Sequence, residues 1–177
     1  MANRIKLRGI LEWAKIFEEN RDLTGYKPTE SPGNYEQYDG ACTTNIILDE
    51  DNAELLRSTG FPRKLKPDPD GRGLIAKLDR KFNTGHSFSS GAPEVFDATT
   101  GERWTFEDGL IGNGTVADVY LSVYTTQYKT VGSRIEKIEI IDYVEPVGLG
   151  PNEYESVSST TPNATSRPIQ KAEEIPF

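Results

Sequence analysis

The sequence predicts an all-β domain with one short helix, a small five-stranded barrel with long loops and a disordered C-terminal tail. Three observations predict it. β-Branched and aromatic residues recur with period two in five stretches bounded by Gly, Pro, Asn and Asp. One stretch alone carries both helix start and stop signals. Residues 149–177 are dominated by Ser, Thr, Pro, Asn and Glu, with no apolar periodicity to bury.

In chain order, Ile5–Trp13 places Ile5, Leu7, Leu11 and Trp13 on one side and Lys6, Arg8 and Glu12 on the other, the alternation of a half-buried strand. Tyr38–Leu48 is a Thr- and Ile-rich strand. A helix follows from about Asp51 to Ser58: Asp49 or Asp51 can cap it, acidic residues crowd its first turn, and Gly60 with Pro62 ends it. Gly73–Phe82 sets Leu74, Ala76 and Leu78 against Lys77 and Lys81. Thr115–Thr126 is the clearest strand, with Ala117, Val119, Leu121 and Val123 as its apolar face. Ile135–Val144 reads as apolar on both sides and therefore central. Long connections at 18–37 and 83–93 belong on the surface, where binding loops sit. Five mostly antiparallel strands with a helix between early ones suit the oligonucleotide-binding (OB) barrel, with an immunoglobulin-like sandwich as the alternative. The expected division is a domain at 1–148 and a tail at 149–177, whose root-mean-square reach as a flexible coil is about 30 Å.

Composition narrows the chemistry. A hydrophobic content of 35% suffices for one core. With no run of eighteen apolar residues and no signal-peptide pattern, the expectation is a soluble, intracellular protein without membrane contact. The single cysteine, Cys42, and single histidine, His86, are too few for a zinc site or a Ser-His-Asp triad. Asp49, Glu50 and Asp51 are consecutive, so they do not converge on one cation, and capping explains them. Gly109–Gly114 (GLIGNG) lacks the Gly-Lys-Ser/Thr ending of a phosphate loop and precedes a strand, so it reads as a turn. No enzyme, metal or cofactor is expected.

A formal charge of −8 argues against a nucleic-acid ligand until its distribution is considered. From Arg57 to Lys81 eight basic residues face three acidic ones, and Arg4, Lys6 and Arg8 form a smaller basic group. Candidate phosphate contacts in the larger group are Arg63, Lys64, Lys66, Arg72, Lys77, Arg80 and Lys81. Phe61 and Phe82 bracket it, the aromatic and basic interleaving a single-strand groove needs. On Thr115–Thr126 the face opposite the apolar residues carries Tyr120 and Tyr124, four apart, as stacking platforms for bases. Trp13, Tyr35, Tyr38, Phe88, Trp104 and Tyr128 are further aromatics, most of them expected as core or loop anchors.

The segment Glu173, Glu174, Ile175, Pro176 and Phe177 joins two carboxylates to a proline-fixed hydrophobic pair with a terminal aromatic. It reads as a ligand: the ring fills a pocket while a basic rim takes the carboxylates. EEIPF resembles the acidic tip of bacterial single-stranded DNA-binding proteins, Asp-Asp-Asp-Ile-Pro-Phe. The body is similar to the single-stranded DNA-binding proteins of tailed phages, through the turn-strand-turn-strand run GLIGNGTVADVYLSVYTTQYKTVGSRIEKIEIIDYVEP and the strand-helix run QYDGACTTNIILDEDNAELL. That resemblance implies an OB fold and a non-enzymatic protein that coats single strands in phage replication, recombination and repair. It also implies that the tail recruits polymerase, helicase or primase and competes with DNA for the groove. The site would be the cytoplasm of the infected bacterial host, and a homo-oligomer is compatible with it. The alternatives are a replisome adaptor whose barrel binds protein, and a metal-dependent nuclease, for which only the acidic clusters speak.

Overall fold

The computed structural model describes residues 2–23 and 39–147. All five expected strands form, as β1 (Ala2–Lys15), β2 (Ala41–Leu48), β4 (Leu74–Lys81), β6 (Thr115–Thr125) and β7 (Val131–Asp142). Two short strands join them, β3 (Lys66–Pro67) and β5 (Glu94–Asp97). Together they make one seven-stranded sheet in the order β3-β4-β2-β1-β6-β7-β5, antiparallel except for β5 beside β7. The sheet is open: no ladder among the described residues pairs β4 with β7.

Among the described residues one α-helix, α1 (Glu50–Ser58), links β2 to the β3–β4 segment. Asp49 caps it, its side chain accepting from the Asn52 N–H at 2.8 Å. Those hydrogen bonds from Asn52 hold the Asp49 carboxyl below its ordinary range. The helix buries Ala53 and Leu56 into the core.

The inner face of the curved sheet is the core: Leu7 and Leu11 of β1, Ile46 and Leu48 of β2, Ala76 and Leu78 of β4, and Ala117, Val119, Leu121 and Val123 of β6. Ile135, Ile138 and Ile140 of β7 complete it. β7 corrects the reading of a strand apolar on both sides. The β6–β7 register shifts between Tyr120 and Leu121, so that Tyr120 pairs Lys137 while Leu121 pairs Ile135. Glu136 is the extra residue of this bulge, and it changes the phase so that Ile135 points inward together with Ile138 and Ile140. Trp13 is a second correction: it is 66% exposed at a φ of +54°. The β1–β2 register shifts between Glu12 and Lys15, which turns Trp13 out, and its backbone N–H donates to the Asn113 side-chain oxygen.

A third correction is Arg80, expected on the binding surface. It follows Leu78 by two residues on β4 and so shares the core face, where it is only 8% exposed. Its Nε donates to the Gly91 carbonyl at 2.7 Å, Nη1 to that of Ile135 at 2.9 Å and Nη2 to that of Ser90 at 3.2 Å. Nη1 also lies 3.4 Å from a Glu136 carboxylate oxygen. One guanidinium thereby joins β4 to β7 and pins the 83–93 loop over the gap between them.

Cys42, beside Arg80's position on the β2–β4 ladder, is buried, and burial pushes its thiol up to about 12 against the opposing charge of Arg80. The chain divides into units Met1–Glu145 and Pro146–Phe177. The expected tail, with Glu173–Phe177, lies outside the described residues. Among those described, no helix is long and apolar enough to cross a membrane.

Two outcomes are expected. Arg80→Ala strands buried carbonyls and Glu136, and should lower the unfolding free energy in urea by about 3 to 5 kcal/mol. Cys42 should resist alkylation by iodoacetamide at neutral pH until denaturant is added, with mass spectrometry as the readout.

Candidate nucleic-acid interface

The outer face of the sheet carries four of the sequence-predicted residues in two patches, Lys77 and Lys81 on β4 and Tyr120 and Tyr124 on β6. On β4, Lys77 is exposed and Lys81 half-buried, with Asp79 between them. Asp79 is buried and receives Arg63 Nη2 at 2.7 Å, while Arg63 Nη1 donates to the Lys77 carbonyl. Lys64 and Lys66 are exposed. Arg72 is a strap. From the β3–β4 loop it grips Asp68 at 2.7 Å, then crosses β2 to reach Glu12 of β1 at 2.9 Å. Its carboxylate partners raise Arg72 above its ordinary value, and the Arg72 hydrogen bonds hold Asp68 below its own. Phe61 packs against the core cluster. Phe82 is half-buried with the Arg21 guanidinium 4.1 Å from its ring centroid.

Tyr120 and Tyr124 lie on the outer face of β6, as the alternation predicts, but β1 and β2 separate them from β4. Three strand spacings amount to about 14 Å along the sheet. The two patches are therefore distinct surfaces, and the tyrosines have their own cations. On β1, Lys6 pairs Tyr120 and Arg4 pairs Ser122; on β7, Lys137 pairs Tyr120 and Arg134 pairs Ser122. Tyr120 thus has a lysine on each neighbouring strand, and Ser122 an arginine on each.

Side-chain geometry fixes this patch. The Lys137 ammonium sits 4.6 Å from the Tyr120 ring centroid, and the Tyr120 hydroxyl donates to Glu139 Oε1 at 2.9 Å. That hydrogen bond, with some burial and the charges of Glu139 and Asp118, raises the Tyr120 hydroxyl above its ordinary value. Tyr124 lies flat on Gly132, where a Cβ would stand 2.7 Å from the ring; a side chain there would displace the tyrosine. The Arg134 guanidinium is 5.9 Å from the same ring. Glu136 accepts from Ser122 Oγ at 2.6 Å and from Arg134 Nη2 at 2.9 Å. Burial pushes Glu136 upward, but these hydrogen bonds and the charges of Arg134 and Arg80 outweigh it and leave the carboxyl below its ordinary 4.5.

Arg134 and Lys137 were missed in the sequence because the bulge at Glu136 breaks the alternation that would have put them on Tyr120's face. Beyond them, Tyr128 in the β6–β7 turn is 79% exposed, four residues after Tyr124. No group of three or more metal-ligating side chains occurs among the described residues.

No protein-family model and no curated protein matches the chain. Among solved structures, it is similar to that of gp2.5, a single-stranded DNA-binding protein encoded by bacteriophage T7, with a TM-score of 0.48 and 13% sequence identity. The match covers 80% of this chain and 93% of that one.

The Glu136 network gives a signed pH dependence. Because the folded carboxyl is depressed, its contribution is complete above 4.5 and is lost as pH falls through the lower folded value. Thermal unfolding from neutral to acid pH should show a decline below 4.5 that Glu136→Gln makes shallower. Identical acid limbs in the two proteins would rule out this coupling.

Proposed function

We propose that the chain is a non-catalytic single-stranded DNA-binding protein. Its five long strands would form a partly open OB-type barrel, with Arg80 spanning the β4–β7 gap. The observation that carries the reading is the cross-strand row on the outer face, where Tyr120 is flanked by Lys6 and Lys137, and Ser122 beside it by Arg4 and Arg134. Rings among cations are what an unpaired strand can use: its bases stack while its phosphates are neutralised. A duplex hides its base faces inside its own stack, so tyrosines on a sheet surface offer it little. The contacts go to base faces and backbone, which predicts binding with little sequence preference.

In the unbound protein Glu136 and Glu139 hold Arg134 and Lys137 in place. A phosphate arriving at either cation exchanges one anionic partner for another, so stacking supplies much of the selectivity. Lys77, Lys81, Lys64 and Lys66 on the other patch would steer or extend the strand. The resemblance of Glu173–Phe177 to the bacterial tip supports a second role. That segment would recruit replication proteins such as polymerase, helicase or primase, and its carboxylates would compete weakly with DNA. The setting is phage DNA replication or recombination in the cytoplasm of an infected bacterial host.

Four cations around the tyrosines predict a slope of log K against log salt of about −3 for oligo-dT, at about 0.7 per phosphate. Equal affinity for duplex and single strand would sink the reading. Tyr120→Ala should weaken oligo-dT binding by about 1 to 3 kcal/mol, whereas Lys77→Gln changes mainly the salt slope. Deleting Glu173–Phe177 should tighten DNA binding at low salt and abolish pull-down of the replication polymerase. Recruitment that survives the deletion would remove the tail from the proposal.

A further inference from the structure

We infer that the DNA path crosses the strands instead of following β6, and that Phe96 of β5 is a second base-stacking platform beside Tyr120. This rests on the single-strand reading above and names the subsite within it. Val95 faces the core at 1% exposure, so Phe96, next along β5, faces out, level with Glu139 of β7. The Lys137 ammonium lies 5.5 Å from the Phe96 ring centroid and 4.6 Å from that of Tyr120. One cation therefore sits between two rings on different strands. Beyond Phe96, Arg103 is bridged to it across the backbone, with its guanidinium 5.6 Å from the ring and its side chain 56% exposed. The backbone hydrogen bonds from Asp97 N to Glu102 O and from Trp104 N to Val95 O hold this segment along β5.

Across β1, β6, β7, β5 and the segment after it, the outer face thus presents Lys6, Tyr120, Lys137, Phe96 and Arg103, cation and ring in alternation. That order matches the chemistry of a single strand, in which bases and phosphates also alternate. Two adjacent bases stack, one on Tyr120 and one on Phe96. The phosphate that links them meets Lys137, and the flanking phosphates meet Lys6 and Arg103. Phe96 has no polar group, so its contribution is stacking alone, and the pair sets no preference among bases beyond stacking strength.

The test uses the full chain and fluorescent oligo-dT of about 16 nucleotides, the upper end of a barrel's site size, across a range of salt. Phe96→Leu keeps an apolar side chain on β5 and removes the ring, and thermal unfolding checks that the fold persists. It should weaken binding by about 5- to 150-fold at constant salt slope, and Phe96→Tyr should restore it. Lys137→Gln should instead flatten the slope by about 0.7. Should Phe96→Leu bind like the parent while Tyr120→Ala is impaired, the strand passes β6 without reaching β5 and the inference fails alone. A parent protein that does not bind oligo-dT at all would overturn the single-strand reading and this path with it.

Discussion

Arg80 is the constraint on which the rest of the sheet depends. An open sheet of seven strands has two free edges, and a link between distant strands adds to the curvature that twist and bulges give it. Here a guanidinium on the core face of β4 reaches the Ile135 carbonyl and Glu136 of β7. A buried cation is costly unless every donor finds an acceptor. Each of the three Arg80 nitrogens has at least one acceptor, mainly a backbone oxygen, which ties the side chain to geometry instead of to one replaceable partner. Its remaining donors hold Gly91 and Ser90, so the long 83–93 connection is anchored by the same group.

Glu136 carries that constraint from the inside of the sheet to the outside. It is the bulge residue, and the bulge is what lets Arg80 and Arg134 reach the same carboxylate from opposite faces. The bulge also brings Lys137 opposite Tyr120 while keeping Ile135 and Ile138 in the core. Ser122, which is buried, donates to Glu136 and completes the link to β6. The position of the proposed phosphate-binding cations is thus set by core packing, not by flexible loops. Such a patch keeps its shape without a ligand.

Strand existence was legible because a half-buried antiparallel strand writes its period into the sequence, as β6 and β4 show. The helix was legible from Asp49 and Gly60. The location of the site was less so. Arg80 belonged to the core face by the same alternation that placed Lys77 outside, but counting charge along the segment hid that phase. Arg72 and Arg63 are held by carboxylates close in space, so the local basic excess overstated the charge available. β7 misled for another reason: a bulge adds one residue and breaks period two, so Arg134 and Lys137 could not be assigned to a face. Phe96 sits on a four-residue strand, too short to show any period, and only the parallel pairing with β7 brings it to Lys137.

The charge of the chain and the charge of the patch answer different questions. A net −8 slows the approach of any polyanion and makes non-specific adhesion to duplex DNA weak. Within the patch Glu136 and Glu139 offset Arg134 and Lys137, which leaves Lys6 and Arg4 as its excess positive charge. A ligand that offered phosphates alone would, at Arg134 and Lys137, only replace the resident carboxylates. A ligand that also offers exposed base faces gains the stacking on top, and only an unpaired strand has both. On the proposed single-strand function, a modest positive charge with rings in reach would act as a filter against duplex, which a strongly basic groove would not provide.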